Sequence, residues 1–221
     1  MTIRDAGDLP AGGFSDWLSG VRAALHGEGD SDVPCGSCTA CCRSSQFVHV
    51  GPDETGCLAH IPPELLFPAP GLPPGHVLMG YDEHGACPML TGLGCSIYEH
   101  RPRTCRTYDC RIFPATGVEV ETDKAPIREQ ARRWRFDHGT DGDRAEHAAC
   151  RDAGAFVAEH ADVFPDDAGA RSGTRRAVLA VEIADAFLHR DASTGRHTAM
   201  QPTVDEVLVV LGRCRRADRP D

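Results

Sequence analysis

The chain has 221 residues, a net charge of −10 and 41% apolar residues. This length suits one medium-sized domain with an extension, and the apolar content is enough for a hydrophobic core. The acidic balance argues against general nucleic-acid binding, which favours a basic face. We find no secretory signal at the N-terminus and no run near the roughly 20 apolar residues of a membrane span. We therefore expect a cytoplasmic protein that does not enter a membrane.

The first region, residues 1–34, is expected to contain one helix after a loose start. Ser15 is a candidate N-cap, and Leu18, Val21 and Leu25 recur at helical spacing. We expect the helix to stop at Gly27, because glycine readily takes the left-handed conformation that ends helices.

The second region opens with four of the eleven cysteines inside eight residues, at Cys35, Cys38, Cys41 and Cys42. Packing does not require this density, because a buried cysteine behaves as a small hydrophobe. Thiolates this close together are typical ligands of zinc or of an iron–sulfur cluster. The odd cysteine count and the reducing cytosol argue against a disulfide framework. The motif therefore predicts a metal centre.

Proline and glycine punctuate the rest of this region, residues 35–116, so it should form short strands and turns. Strands are expected at residues 47–50 and 77–81. A hairpin should follow, with Cys87 and Cys95 at corresponding places on its two arms.

A short helical turn is expected to begin at Arg101-Pro102, because proline suits the first position of a helix. Cys105 and Cys110 would lie on this turn or just after it. Both thiols would then follow the hairpin closely in the chain, which makes them candidates for the same metal-binding region.

The third region, residues 117–221, is predicted to be mostly helical. Residues 118–121 alternate like an exposed edge strand. Thr203 and Glu206 have the spacing of a capping box, which predicts the start of the last helix. The helices are expected at residues 126–138, 143–162, 174–190 and 203–216.

The predicted ligands form three groups along the chain: the cluster, the hairpin pair and the pair on the following turn. Together they are numerous enough for two four-thiolate sites, or for one [4Fe–4S] cluster and one zinc ion. Adjacent side chains such as Cys41 and Cys42 point in different directions, so we expect them to divide between two centres or two roles. One of them would join Cys35, Cys38 and a distant thiolate. The predicted metal ligands are Cys35, Cys38, Cys41, Cys42, Cys87, Cys95, Cys105 and Cys110.

Cations near the predicted ligands are expected to balance the charge of the site. A four-thiolate site around Zn²⁺ or a [4Fe–4S]²⁺ core carries about two net negative charges, which need compensation when buried. Arg101 and Arg106 are the candidates. His100 is the histidine we would test as a ligand, because it lies five residues from both Cys95 and Cys105.

Three cysteines, Cys57, Cys150 and Cys214, have no close partner in the sequence. For these we expect ordinary buried or exposed thiols. The sequence contains no phosphate-binding loop and no hydrolase or zinc-protease signature.

The cysteine motifs resemble those of the CxxCxxCC proteins, the YkgJ-type zinc- or iron-chelating domain family. The resemblance covers residues 35–113. It implies metal binding through these cysteines, with zinc or iron as the metal. The family also includes the flagellin lysine N-methylase, in which the cysteine cluster is thought to hold an iron–sulfur centre that assists methyl transfer to protein lysines. The resemblance rests on Cys35-x-x-Cys38-x-x-Cys41-Cys42, on Cys87-Pro88-x-Leu90 and on residues 94–106.

The sequence therefore predicts an α+β protein. A small loop-rich core with short strands, ligated by cysteines, would be flanked by an N-terminal helix and a helical C-terminal region. Three hypotheses remain for its function: a cytosolic metal-binding protein, an enzyme or enzyme component that uses a cluster for methyl or electron transfer, and a zinc-stabilised module that presents its C-terminal helices to a protein partner. The sequence leaves open whether the protein is an enzyme.

Overall fold

The computed structural model describes residues 7–29, 31, 33, 37–164 and 172–217. It confirms the α+β class, because helices and short strands in small sheets are combined. The helices are α1 (Phe14–Leu25), α2 (Thr55–Leu58), α3 (Arg103–Thr107), α4 (Ile112–Thr116), α5 (Ala125–Ala131), α6 (Asp141–Glu159), α7 (Gly173–Ile183) and α8 (Val204–Ala217). The strands are β1 (Leu9–Gly13), β2 (Val48–Val50), β3 (Leu66–Pro68), β4 (Val77–Met79), β5 (Leu90–Thr91), β6 (Gly94–Cys95), β7 (Trp134–Asp137), β8 (Leu188–Arg190) and β9 (His197–Ala199).

The first helix, α1, ends where expected, but its N-cap differs from the prediction. Gly13 occupies the N-cap, and Gly27 has a φ of 76°, as a helix-ending glycine can. Ser15 lies inside the helix, and its hydroxyl donates to Asp143 on α6 at 2.6 Å. The hydroxyl thus joins two helices instead of capping one.

The buried side chains form two hydrophobic clusters. The larger cluster, here called the helical core, joins α1 and the helices from α4 onward to the β1–β7 pair. The smaller cluster, here called the small core, lies in the cysteine-rich part of the chain around the three-stranded sheet β2-β4-β3. The small core consists of the buried residues Val48, Val50, Cys57, Ile61, Met79, Met89 and Ile97.

The parallel pair β1–β7 replaces part of a predicted helix. Residues 126–138 were expected to be helical throughout, whereas α5 stops at Ala131 and β7 pairs Trp134 with Leu9 of β1. Trp134 is buried and its neighbour Arg135 is exposed, so burial alternates as it does along a strand. A strand that lies almost 125 residues away provides the hydrogen bonds, and no local pattern shows this.

Two further predictions in the C-terminal region need correction. Residues 118–121 do not form an edge strand; there Glu121 accepts a hydrogen bond from the Gly173 backbone N–H at 2.6 Å, at the start of α7. The predicted helix at 174–190 ends at Ile183, and the chain continues through a 3₁₀ turn into the β8–β9 hairpin.

The longest helix and the last helix agree with their predictions. In α6, Thr140 and Asp143 form a reciprocal capping box. Hydrogen bonds from Ser15 and Thr140 hold the pKa of Asp143 well below its usual value. The predicted box of α8 is also present, because Glu206 accepts from the Thr203 backbone N–H at 2.7 Å. Within the described residues, no helix is both long enough and apolar enough to cross a membrane.

Candidate metal centre

Three separate segments of the chain contribute cysteines to the wall of one cavity. The cavity has a volume of about 530 Å³. It lies against the small core, with Val48, Met79, Met89 and Ile97 in its wall. The cysteines that line it are Cys38, Cys41, Cys42, Cys87, Cys95 and Cys105.

A tight turn separates the directions of the two adjacent cysteines. Residues Cys41–Arg43 form a 3₁₀ turn, and the buried Ser44 that follows donates its hydroxyl to Ala40 at 2.8 Å. Cys41 packs against the helical core, where burial raises the pKa of Tyr108 and the charge of Cys41 adds to the rise. Cys42 interacts instead with Cys87 and Cys95. The turn therefore gives the two neighbouring thiols different surroundings.

A backbone hydrogen bond brings the hairpin segment to the cysteine cluster. The Cys87 N–H donates to the Cys42 carbonyl at 2.7 Å. In the β5–β6 hairpin that follows, Cys95 pairs with Leu90. The prediction that Cys87 and Cys95 face each other across the hairpin is wrong, because Cys87 lies before its first strand. Both thiols nevertheless line the cavity.

The third segment contributes Cys105 from the short helix α3. Pro102 is the N-cap of this helix, whereas it was predicted to be the first helical residue. Its carbonyl accepts the Cys105 N–H at 2.9 Å. Cys105, Cys87 and Cys95 all pack against the small core. The cysteines are thus part of the packing of this region.

Burial raises the pKa of several thiols in the cavity, and the charges of neighbouring thiols add to it. Burial is the first cause for Cys42, whose pKa rises to about 11, and the charges of Cys87, Cys95 and Cys38 add to it. For Cys105 burial, followed by Cys87, Cys42 and Cys95, raises the pKa to about 12. Cys42 and Cys105 are therefore protonated near neutral pH unless a cation among the thiols stabilises the thiolates.

The donor chemistry suits zinc or iron, but the side chains do not form a closed site as they stand. In the described part of the chain, no three cysteine, histidine, aspartate or glutamate side chains form a group that could hold a metal ion. Side-chain rotation within the cavity would be needed to bring four sulfurs to the roughly 2.3 Å of a zinc–thiolate bond.

The two predicted compensating arginines differ in their surroundings. Arg101 lines the cavity, and its charge opposes the rise in the pKa of Cys105. Its guanidinium carbon lies 3.6 Å from the centre of the Tyr98 ring. Arg106 donates to the Arg101 carbonyl and exerts its charge on Cys57. The structure brings Arg101, but not Arg106, to the cavity wall.

Two of the predicted ligands are not among the cavity cysteines. Cys35 lies outside the described residues. Cys110 is buried in the helical core, where the indole N–H of Trp134 donates to its sulfur at 3.2 Å. Its neighbours Asp109 and Arg111 form a buried ion pair at 2.7 Å. The residues on both sides of Cys110 therefore hold it in the helical core.

The cysteines that were not predicted as ligands lie outside the cavity wall. Cys150 is fully buried in α6, and the Cys214 thiol lies 3.5 Å from the Glu182 carbonyl. Cys57 belongs to the small core, a placement that its isolated position in the sequence did not indicate. His100 is exposed and stacks on His60, with 3.7 Å between the ring centres.

Sequence reasoning did not single out Gln46, Phe47 and Leu93, which also line the cavity. Gln46 and Phe47 follow the cysteine cluster directly in the chain, and Leu93 lies at the tip of the hairpin. Their closeness to the motifs is the only signal that could have marked them.

No protein-family model, no curated protein and no solved structure matches this chain. The resemblance of the cysteine motifs to the YkgJ-type family therefore stays a prediction.

Proposed function

We propose that this chain is a cytoplasmic metal-binding protein, in which clustered thiolates hold zinc or an iron–sulfur cluster. One observation carries the proposal: cysteines from three segments, separated by 45 residues between Cys42 and Cys87 alone, line the same cavity. Chance does not bring so many thiols together, and disulfides are rare in the cytosol.

Four thiols are the best candidates for a single centre. These are Cys42, Cys87, Cys95 and Cys105. All four line the cavity, and the charges of Cys87 and Cys95 act on both Cys42 and Cys105. A cation among them would stabilise four thiolates at once, which is the ligand number of structural zinc and of a [4Fe–4S] cluster. Cys38 and Cys41 line the same wall. They would be available to bind a second metal centre or to replace one of the four ligands.

The balance of charge at the cavity supports the same proposal. Four thiolates with a divalent core leave about two negative charges, which are costly to bury alone. Arg43 and Arg101 line the cavity, and no other charged side chain does so among the described residues. Both positive charges thus lie at the same wall as the thiols.

The test is anaerobic purification of the full chain, followed by measurement of metal and of acid-labile sulfide. Stoichiometric zinc in a colourless protein, or iron with sulfide in a brown one, would support the proposal and identify the metal. A protein that is free of metal, reduced and fully folded would overturn it, because binding energy at such a site is folding energy.

A further inference from the structure

The cavity is larger than a metal ion needs. Its volume of about 530 Å³ falls within the roughly 300–1,000 Å³ of small-molecule sites. A zinc ion with four sulfurs at about 2.3 Å occupies only a small part of such a space. The wall therefore has room for a ligand beside the thiols.

Apart from the thiols, the charged groups of the wall have one sign. Arg43 and Arg101 are its charged side chains, and no aspartate, glutamate or lysine belongs to the wall in the described part of the chain. This contrasts with the net charge of −10 of the whole protein. A cationic, partly enclosed surface on an acidic protein favours an anionic ligand.

Both arginines are held in a way that leaves their terminal amino groups available. Arg43 donates through Nε to the Thr39 hydroxyl at 3.3 Å, and Arg101 donates through Nε to the Tyr98 carbonyl at 2.8 Å. Among the described residues, no acceptor binds the terminal amino groups of either arginine. Such an anchored guanidinium is well suited to bind a carboxylate through two hydrogen bonds.

A buried amide in the same wall also lacks an acceptor. The Gln46 side-chain oxygen accepts from the Lys124 ammonium at 3.4 Å, which orients the amide, because lysine can only donate. The Gln46 Nε2 is buried and has no partner among the described residues. An unsatisfied buried donor is unfavourable, so a ligand that accepts a hydrogen bond there would be stabilised.

The rest of the wall is apolar and partly open to solvent. Phe47 is 55% exposed although its neighbour Val48 is buried, and Leu93 at the hairpin tip is completely exposed. Exposed large apolar side chains beside a cavity are typical of a binding site. They would cover the apolar body of a ligand whose charged end points to the arginines.

We propose that this cavity binds a small organic carboxylate beside the thiols, with its carboxylate on Arg43 and Arg101 and its apolar body against Phe47 and Leu93. The inference rests on the proposed function only in placing the ligand next to a thiolate-bound metal. The residues that would contact the carboxylate belong to the protein and line the cavity whether or not a metal is bound. The competing explanation is that both arginines only neutralise the metal centre.

The experiment is calorimetric titration of the purified full chain, whose metal content is measured on the same sample. The probes are benzoate, butyrate and succinate, with benzamide as the uncharged control for benzoate. We expect at least one carboxylate to bind, and benzamide to bind at least tenfold more weakly than benzoate if benzoate is that ligand. Arg43→Gln and Arg101→Gln should each weaken carboxylate binding by roughly tenfold or more, since a charge-assisted hydrogen bond is lost.

Arg196→Gln is the matched control, because Arg196 is an exposed arginine in the β8–β9 hairpin, outside the cavity wall. It should bind the carboxylate as the wild type does. Loss of carboxylate binding in Arg43→Gln and Arg101→Gln, measured on samples with the same metal content as the wild type, would support the inference.

Three results would overturn the inference. One is a metal-loaded wild type that binds none of the three carboxylates, which leaves the proposed function standing. Another is equal binding by the wild type and both arginine variants. The third is loss of metal together with loss of binding in those variants, since the arginines would then serve the metal. Arginine-dependent carboxylate binding by a metal-free protein would instead support the ligand site and contradict the metal proposal.

Discussion

The helical core and the small core reach stability by different means. Among the described residues, twenty-seven buried apolar side chains form the helical core, whereas seven form the small core. The helical core contains the 19-residue helix α6, and the strands around the small core have only three residues each. Both tryptophans, Trp17 and Trp134, belong to the helical core.

This difference indicates where a bound metal, as proposed, would add most to stability. A large apolar cluster supports its helices by burial alone, because each buried side chain contributes roughly 1.5–3 kcal/mol. A cluster of seven side chains contributes too little to offset the entropy of ordering a loop-rich segment. Small domains of this kind are commonly held by a metal or by disulfides. Three partly buried cysteines complete the small core, so a metal bound there would stabilise its packing.

The largest expected effect is the loss of one shared thiolate. If the proposed metal centre is present, Cys105→Ser should reduce the bound metal by at least half and destabilise the small core, because it removes a thiol on which Cys87, Cys42 and Cys95 all act. The helical core should remain folded. Hydrogen exchange should therefore accelerate in β2, β3 and β4, while tryptophan fluorescence, which reports Trp17 and Trp134, stays close to that of the wild type.

Cys214→Ser is the control for that experiment. Cys214 lies on α8, away from the cavity, and is partly exposed. It should leave metal content and hydrogen exchange unchanged. Equal loss of metal in the two variants would contradict the separation of the cysteines into cavity and non-cavity thiols.

The second effect concerns the packing of the helical core alone. A methyl group at Gly154 would overlap the Thr116 carbonyl oxygen, because α6 approaches α4 closely there. Gly154→Ala should destabilise the helical core by about 1–3 kcal/mol or more, as overpacking does. Chemical unfolding followed by tryptophan fluorescence measures this change, and the metal content should stay the same.

Gly20→Ala should give the opposite result, on the exposed side of α1. Gly20 is an exposed residue of α1, and nothing lies within 4 Å of the position of an added methyl group. Alanine in a helix is favoured over glycine by roughly 0.5–1 kcal/mol, so this variant should be more stable. If both alanines changed stability in the same direction, the close approach of α6 to α4 would be wrong.

The smallest effect is a pH dependence of the helical core. Burial lowers the pKa of His147, which stacks on Phe14 with 4.3 Å between the ring centres. Its Nε2 faces the Pro114 carbonyl at 3.3 Å, so it donates there and Nδ1 accepts from His138 at 2.7 Å. The nearby charge of Arg151 also disfavours a protonated ring.

The sign of this dependence follows from the lowered pKa. Below about pH 6.5 the unfolded chain binds a proton at His147 that the folded chain does not, so stability falls as the pH drops. Above this pH the effect vanishes. Thermal unfolding followed by tryptophan fluorescence at pH 7.5 and 5.5 measures the difference. His147→Phe should keep the stacking and reduce the pH dependence of stability. An unchanged dependence would contradict the assignment of this effect to His147.

Local sequence patterns correctly predicted those elements whose capping residues and helical periodicity lie within or next to the element itself. The stop at Gly27, the capping box of α8 and the long helix α6 were all predicted, because capping and helical periodicity act within a few residues. The β1–β7 pair was missed, because each strand is short and its partner is distant. The alternation at residues 118–121 was misleading, because their role is to support the start of α7.

The sequence by itself determined that thiols are concentrated in one part of the chain, and where most of the long helices begin and end. Only the tertiary structure decided which thiols share a cavity: Cys42 lies with Cys87, Cys95 and Cys105, and Cys110 lies in the helical core. The physical reason is that spacing specifies local turns, whereas the meeting of distant segments depends on hydrogen bonds such as that from Cys87 to Cys42 and on the burial of shared apolar surface.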